Sequence, residues 1–199
     1  MKHICVYGAS STSLHPKYYD FAYQVGAELA KAGAGMIFGG GDKGLMGAAA
    51  RGVHYNGGYL TGVIPVRLHQ PGVAYPHCDE LIVTQTMHER KSVMEERGSG
   101  FIVLPGGNGT LEELLEAMTL KQLKYHDHPI VILNQDHFYE PLLEMFDRCV
   151  RRGFTHMVFA NLYRLAYTPK EAVQLSLIED VQELPDKVDL VDLPPTEEE

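Results

Sequence analysis

The sequence is poor in the features that would place it in an oxidising or membrane environment. It contains three cysteines, at 5, 78 and 149, with no C-x-x-C pair, which predicts free thiols in a reducing compartment rather than a disulfide framework. No stretch approaches the roughly 18 consecutive apolar residues of a membrane span. The apolar start ends at Gly8, which is too early for a signal peptide. We therefore expect a cytoplasmic protein that makes no membrane contact.

Basic residues are in the minority, with 17 lysines and arginines against 26 acidic residues and a formal net charge of −9. Nucleic acids and anionic lipids both require a clustered basic face, so this balance disfavours them as partners. A small phosphorylated molecule is compatible with it, because a few backbone N–H groups and one cation can hold a phosphate. The expected partner is a small molecule, with no nucleic acid.

The length of 199 residues, with 45% hydrophobic and 22% charged residues, is typical of one globular domain. We expect this domain to cover residues 1–184. From Pro185 onwards the sequence is rich in proline and acid and ends in three glutamates. Residues 185–199 are therefore expected to form an acidic, flexible C-terminal tail.

Short apolar runs that end at turn residues alternate with amphipathic stretches. The runs predict buried strands near 4–7, 36–38, 59–64, 101–104 and 129–133, with a further short strand near 81–83. The amphipathic stretches predict helices near 17–32, 45–55, 87–97, 111–124, 138–151 and 169–177. This alternation indicates an α/β fold, a parallel sheet with helices on both faces, whose ligands bind at the carboxyl ends of the strands.

The strongest local signal is the turn that follows the strand near 101–104. Three glycines, Gly106, Gly107 and Gly109, precede a helix that we expect to begin at Thr110. Unpaired N–H groups at a helix start, with the positive end of the helix dipole, form a phosphate cradle. No Gly-Lys-Ser/Thr follows and G-x-G-x-x-G is absent, so the turn is neither a Walker A loop nor a dinucleotide fingerprint. Glu113 is either a functional carboxylate or the partner of Thr110 in a capping box.

A second signal lies just before that strand. At helical spacing, Met87, Arg90, Lys91 and Met94 share one stripe. Two adjacent cations between methionines are costly to bury unless an anion meets them. The alternative is that both cations are solvated and pair with the acidic residues at 89, 95 and 96.

Two further glycine loops follow predicted strands, Gly39-Gly40-Gly41-Asp42-Lys43 and Gly8-Ala9-Ser10-Ser11. Each is explained either by tight strand-to-helix packing or by a ligand. Since the carboxyl ends of parallel strands share one edge of the sheet, these loops would form a common rim. The expected rim residues are Gly8, Ser10, Gly40 and Gly41.

Two motifs occur together in the chain: Met87-His88-x-Arg90-Lys91 and Pro105-Gly106-Gly107-x-Gly109-Thr110-x-x-Glu113. In combination they closely resemble the paired signature of the Lonely guy (LOG) proteins, and the resemblance extends over about residues 2–180. These proteins are cytokinin riboside 5′-monophosphate phosphoribohydrolases. The resemblance implies a Rossmann-like homodimer without cofactor or metal. Its expected reaction cleaves the N-glycosidic bond of an adenosine-type 5′-monophosphate to a free base and ribose 5-phosphate.

By the same resemblance, the catalytic arginine and glutamate fall on Arg90 and Glu113. The phosphate-binding and nucleotide-flanking positions fall on Gly106, Gly107, Gly109 and Thr110, and on Met87 and Lys91. A carboxylate suits this chemistry, because cleavage of the C–N bond develops positive charge on the ribose. Glu113 would stabilise that charge and activate water, while Arg90 would bind phosphate or orient Glu113.

Other functions compete with this interpretation. A lysine decarboxylase would need a Schiff-base lysine, and Lys43 and Lys91 are the only lysines near glycine loops. A nucleotide or pterin-cofactor carrier of similar fold would not need Arg90 and Glu113. The His126-Asp127-His128 cluster is interpreted as solvated loop residues rather than a metal site. Base preference stays open, because Asn108 and Ser99 differ from residues common in the family.

Overall fold

The apolar runs pair into one parallel sheet. The computed structural model describes residues 1–180 and Pro185, and over this part of the chain the sheet has seven strands. They are β1 (His3–Tyr7), β2 (Gly35–Phe38), β3 (Leu60–Pro65), β4 (Glu80–Thr84), β5 (Phe101–Val103), β6 (Ile130–Leu133) and β7 (Arg164–Ala166). Their order across the sheet is β4-β3-β2-β1-β5-β6-β7. The expected α/β fold is confirmed.

The strand order explains where a ligand would bind. From β1 the chain first extends the sheet on one side through β2, β3 and β4, and then returns to place β5 on the other side of β1. In β1, Cys5 is paired with Ile37 of β2 and with Phe101 of β5. The connections therefore diverge between β1 and β5, and this divergence opens a crevice at the carboxyl edge.

Helices cover both faces of the sheet. They are α1 (Pro16–Lys31), α2 (Gly44–Tyr55), α3 (Met87–Arg97), α4 (Asn108–Gln122), α5 (Glu140–Arg151) and α6 (Pro169–Leu177). Two hydrophobic clusters separate the faces: α1, α2 and α6 pack on one side, and α3, α4 and α5 on the other. Two short 3₁₀ helices, Gln135–His137 and Met157–Phe159, flank α5.

The structure differs from the sequence prediction at the start of α4 and in one additional strand, and the predicted tail lies almost wholly outside the described residues. Helix α4 begins at Asn108 instead of Thr110, and β7 was not expected. β7 has three residues, of which only Ala166 is buried, so it lacks the continuous apolar run of the other strands. Of the predicted tail, only Pro185 is described, and 186–199 lie outside the described residues. No helix of the described part has the length and apolar character to cross a bilayer.

Candidate active site

The glycine loops after β1, β2 and β5 meet the start of α3 around one cleft of about 670 Å³. The sequence-predicted residues that line it are Gly8, Ser10, Gly41, Met87, Arg90, Lys91, Gly107, Gly109, Thr110 and Glu113. Parallel strands bring these distant segments to one edge, as expected for this class of fold. The cleft is the candidate active site.

Gly106 and Gly40 lie behind the cleft wall. A Cβ on Gly106 would fall 2.1 Å from the Thr110 hydroxyl oxygen, so the turn can fold against the helix only with glycine there. Gly40 is buried with φ of +71°, and a Cβ there would meet the Ile64 side chain at 3.0 Å. Both residues shape the loops, while their neighbours Gly107 and Gly41 line the cleft.

The start of α4 has no side-chain cap within the described residues. Gly107 is the N-cap, and the first intrahelical bond runs from Leu111 N to Gly107 O at 3.0 Å. The amides of Asn108, Gly109 and Thr110 are therefore left without intrahelical acceptors. By contrast, threonine hydroxyls cap α3 and α6. An uncapped helix start that lines a cleft is suited to bind an anion.

The capping-box interpretation of Glu113 is wrong. Because α4 begins at Asn108, Thr110 is the third helical residue and not the cap. The Glu113 carboxylate turns instead to Arg90, whose Nη1 donates to Oε1 at 3.1 Å. The two residues are 7% and 8% exposed, so this ion pair is almost fully removed from water.

Arg90 is held by several groups besides Glu113. Its Nε donates to the main-chain oxygen of Val63 at 3.2 Å, and Nη1 also lies 3.4 Å from the Met87 sulfur. These contacts come from β3 and from the preceding turn of α3. The interpretation of Arg90 as a solvated cation is therefore wrong, and the guanidinium has one defined orientation toward Glu113.

Two opposing effects act on the pKa of the Glu113 carboxyl. Burial raises its pKa, and the neighbouring Arg90 charge and hydrogen bond lower it. The net pKa lies above the ordinary value of a glutamate. A carboxyl with a raised pKa at the wall of a cleft is typical of an acid or base that takes part in catalysis.

Gly39 makes room for the arginine. A Cβ at this position would lie 2.0 Å from Arg90 Nη2. Gly39 lines the cleft but was not among the predicted site residues. The run of three glycines after β2 could have indicated that Gly39 belongs to the site. Only the structure shows the reason for a glycine there, which is the space taken by the Arg90 side chain and not the backbone angle of Gly39.

Lys91 also forms ion pairs, but not with the acidic residues at 89, 95 and 96 that the sequence offers as its partners. Its ammonium contacts the carboxylates of Glu112 and Glu116 on α4. Burial alone would lower the Lys91 pKa, but the hydrogen bonds to these two carboxylates outweigh burial and raise it. Lys91 is therefore not a solvated surface lysine. Glu112 lines the cleft beside it.

Glu95 lies one turn after Lys91 and completes this charged cluster. Burial and repulsion from Glu116 raise its pKa to about 7, and attraction to Lys91 only partly offsets them. Its Oε1 is buried without a hydrogen-bond partner among the described residues. Glu95 therefore holds a proton at pH values where an exposed glutamate is ionised.

Lys43 is a cleft residue that the sequence interpretation did not assign to the site. It precedes α2 as its N-cap, is exposed, and lines the cleft. Within the described part of the chain its ammonium has no carboxylate partner. It differs in this from Arg90 and Lys91, whose charges are already met by glutamates.

One wall of the cleft is apolar. It is formed by Met46, Ile64, Leu68, Val73 and the predicted Met87. Leu68 and Val73 belong to the loop between β3 and β4, which carries no recognisable motif, so the sequence could not assign them. Such a wall is suited to a flat, weakly polar group.

The histidine and cysteine candidates lie outside the cleft lining. His126 is half-buried rather than solvated: its Nε2 contacts Ala117 O at 2.9 Å, and burial lowers its pKa to about 4. Cys5 is fully buried in β1, and burial raises the pKa of its thiol. Among the described residues, no three His, Cys, Asp or Glu side chains are grouped as they would be around a metal ion.

Comparison with known protein families gives one match over most of the chain. A family described as "Possible lysine decarboxylase" matches residues 46–175. The chain is 41% identical over 182 residues to the cytokinin riboside 5′-monophosphate phosphoribohydrolase LOG of Oryza sativa subsp. japonica, covering 92% of this chain and 75% of that protein. It is 39% identical over 173 residues to LOG7 of Arabidopsis thaliana, a protein of the same description, covering 87% and 80%.

Solved structures show the same fold at lower identity. The molybdenum cofactor binding protein from Rippkaea orientalis superposes with a TM-score of 0.68 at 22% identity, over 87% of this chain and 94% of that one. The protein TM1055 superposes with a TM-score of 0.64, also at 22% identity, over 87% and 97%. At this identity the likeness concerns the fold alone.

The raised pKa of Glu95 predicts a pH-dependent effect of Glu95→Gln on stability. Between about pH 4.5 and 7 the unfolded chain loses this proton while the folded protein keeps it, so the wild type loses stability as the pH rises. The variant has no such proton to lose. Urea unfolding at pH 8 should show the variant more stable by about 1–2 kcal/mol, less than the full shift implies for a half-buried group. A gain of equal size at pH 4 and pH 8 would contradict the prediction.

Proposed function

The chain belongs to the Lonely guy (LOG) family of cytokinin riboside 5′-monophosphate phosphoribohydrolases, and on this premise we propose that it hydrolyses the N-glycosidic bond of adenosine-type 5′-monophosphates. The products are a free base, adenine or an N6-modified adenine, and ribose 5-phosphate. The observation that carries the proposal is the buried Arg90–Glu113 pair beside the uncapped start of α4, in one cleft.

The spacing along α4 suits a sugar phosphate. The phosphate binds to the free amides of residues 108–110, where the helix dipole also favours negative charge. Glu113 follows Thr110 by three residues, a rise of about 4.5 Å along the helix. A ribose attached to that phosphate therefore reaches Glu113, and phosphate binding energy positions the reacting carbon.

Glu113 is the proposed catalytic carboxylate. As the C–N bond breaks, the ribose acquires oxocarbenium character, and the negative carboxylate stabilises it. The raised pKa of Glu113 also suits it to accept a proton from the attacking water. The bond from water oxygen to C1′ forms as the base departs with the glycosidic electron pair.

Arg90 is the proposed orienting residue. The hydrogen bonds from its Nε and Nη1 go to Val63 and Glu113, so the guanidinium is directed at the protein rather than at the phosphate loop. Of the two roles that the sequence leaves open, this geometry favours orientation of Glu113. The arginine keeps one carboxylate oxygen fixed and makes the acid stronger than burial alone would.

Lys43 is the proposed cation for the phosphate. Arg90 and Lys91 have their charges met by glutamates, whereas Lys43 has no carboxylate partner among residues 1–180 and brings its positive charge to the cleft. The predicted Met87, with Ile64 and Leu68, forms an apolar surface for the purine. The glycines Gly8 and Gly41 and Ser10 complete the rim through which the nucleotide enters.

The lysine decarboxylase description does not fit these residues. A Schiff-base lysine must release its proton readily, which burial or a neighbouring cation promotes. Lys91 has the opposite environment, because Glu112 and Glu116 raise its pKa. A nucleotide or pterin-cofactor carrier is the remaining alternative, and the buried Arg90–Glu113 pair favours the enzyme because binding alone would not need it.

We also propose that the enzyme is a homodimer that joins through α4 and α5. No residue of α5 is buried, although its inner side is apolar. A groove of about 430 Å³ separates it from α4, lined by residues such as Leu115, Phe146 and Tyr163. Exposed Met145 and Phe154, at 54% and 85%, extend this apolar face. A second copy would remove it from water.

Two further proposals concern the extent and location of the protein. We propose that residues 1–184 form one catalytic domain, since one sheet and its two layers of helices account for the described chain. All three cysteines are free, which supports a location in the reducing cytoplasm.

The direct test of function is release of free base. Wild-type protein incubated with AMP and isopentenyl-AMP should release the base, and the corresponding nucleosides should react far more slowly. Glu113→Gln should lower kcat by about 10³-fold, while nucleotide binding is retained. Glu28→Gln, on α1 away from the cleft, is the control. Bound nucleotide with no released base from wild type would support the carrier instead.

Lys43→Met tests the proposed phosphate contact. We expect kcat/KM for AMP to fall about tenfold, which corresponds to about 1.4 kcal/mol, with little change for adenosine. Lys43→Arg should keep most of the activity because it keeps the charge. Because Lys43 is exposed, we expect the variant to fold as the wild type does. Equal losses for nucleotide and nucleoside would remove Lys43 from phosphate binding.

Met145→Glu tests the proposed dimer contact. A charge on this exposed apolar position of α5 should oppose association, since it would have to be desolvated in the interface. Light scattering should then give the mass of one chain for the variant and of two chains for wild type. Tyr55→Glu, on an exposed position of α2, is the control and should stay dimeric. A monomeric wild type would overturn the proposal.

A further inference from the structure

Tyr139 is a buried residue that no motif singled out. It lies directly before α5 and is 2% exposed. Its main-chain N–H donates to Asn134 Oδ1 at 2.8 Å, so its backbone is tied to the end of β6. A buried tyrosine normally finds a partner for its hydroxyl, and here the partners belong to the glycine turn after β5.

The hydroxyl of Tyr139 contacts that turn directly. It donates to the main-chain oxygen of Leu104 at 2.7 Å. The main chain at Gly106 is close enough to lower the phenol pKa, against the larger upward effect of burial. The hydroxyl therefore fixes the main-chain oxygen that directly precedes Pro105.

The rest of the turn is held from the β1 side. Leu104 N donates to Tyr7 O at 2.9 Å, and Ala9 N donates to Pro105 O at 3.2 Å. These bonds, with that of Tyr139, satisfy the main-chain groups of Leu104 and the Pro105 oxygen. The amides of Asn108, Gly109 and Thr110 at the start of α4 follow directly and are left for a ligand.

We propose that Tyr139 is a positioning residue for phosphate binding, which it serves by holding the turn that aims the first amides of α4 into the cleft. The proposal rests on the proposed function of that cleft. Without the hydroxyl, the oxygen of the buried Leu104 would lose its hydrogen-bond partner, and the turn would shift to reach water. The amides would then no longer converge on one phosphate. Tyr139 touches no reacting atom and acts only through the turn.

The test compares Tyr139→Phe with Tyr75→Phe. Tyr75 is equally buried, at 3% exposed, but its hydroxyl has no hydrogen-bond partner among the described residues. Ribose 5-phosphate binding is measured by calorimetry, and kcat/KM is measured for AMP and for adenosine. For Tyr139→Phe we expect at least a tenfold rise in the Kd for ribose 5-phosphate and a similar fall in kcat/KM for AMP, with less than twofold change for adenosine. Tyr75→Phe should change none of these.

The results of these measurements distinguish the role proposed for Tyr139 from the proposed hydrolysis. An unchanged Kd for Tyr139→Phe, or equal losses for AMP and adenosine, would overturn the positioning role. If wild type binds ribose 5-phosphate but releases no base, the proposed hydrolysis fails while the Kd comparison still decides the role of Tyr139. If wild type releases base but does not bind ribose 5-phosphate, the positioning role fails while the proposed hydrolysis stands.

A second variant covers the case in which Tyr139→Phe does not fold. Asn134→Ala keeps the hydroxyl and removes the acceptor that fixes the Tyr139 backbone. We expect a smaller rise in the Kd for ribose 5-phosphate, in the same direction. No rise in that Kd would count against the inference.

Discussion

The buried ion pair between Arg90 and Glu113 is the interaction on which the architecture of the cleft depends. Removal of two charges from water is costly unless each finds further partners. Here β3 contributes the Val63 carbonyl, α3 contributes the Met87 sulfur, and α4 carries the carboxylate. The pair therefore fixes the relative position of three elements. It also holds the acid in the lining of the cleft, which it shares with the glycine turn before α4.

The second constraint is the distribution of positive potential. The protein carries a formal net charge of −9, and glutamates already match two of the cleft cations. In the proposed function, attraction for a phosphate comes from the amides that α4 leaves uncapped and from Lys43. Because those amides are part of the main chain, their direction depends on the turn before them. The role proposed for the buried Tyr139 hydroxyl follows from this dependence.

Much of this organisation could be predicted from the sequence. Helix α3 was expected at 87–97 and is found at those bounds. The cleft unites most of the predicted glycines with Arg90 and Glu113. Composition and spacing sufficed there because buried strands and strand-end glycines have strong local signals. Arg90 and Glu113 were identified through the resemblance to the LOG family, which left open whether Arg90 binds phosphate or orients Glu113.

The errors share a physical cause, which is that they depend on contacts between distant segments. The start of α4 was misplaced because Asn108 and Gly109 are weak helix formers that only the surrounding turn stabilises. One of the two interpretations of Lys91 paired it with acids on its own helix, whereas its partners lie on α4. The edge strand β7 has too few apolar residues to be recognised as a strand from the sequence. In each case tertiary structure overrides a local preference.

The close approach of Gly39 to Arg90 has a consequence for how such proteins diverge. A methyl group at position 39 would occupy the space of one guanidinium nitrogen, so Arg90 would have to move away to make room for it. A descendant that acquires a side chain at 39 would therefore shift or lose the arginine, and the buried acid would lose its counter-ion in its present position. We expect substitutions at 39 and 90 to occur together among relatives.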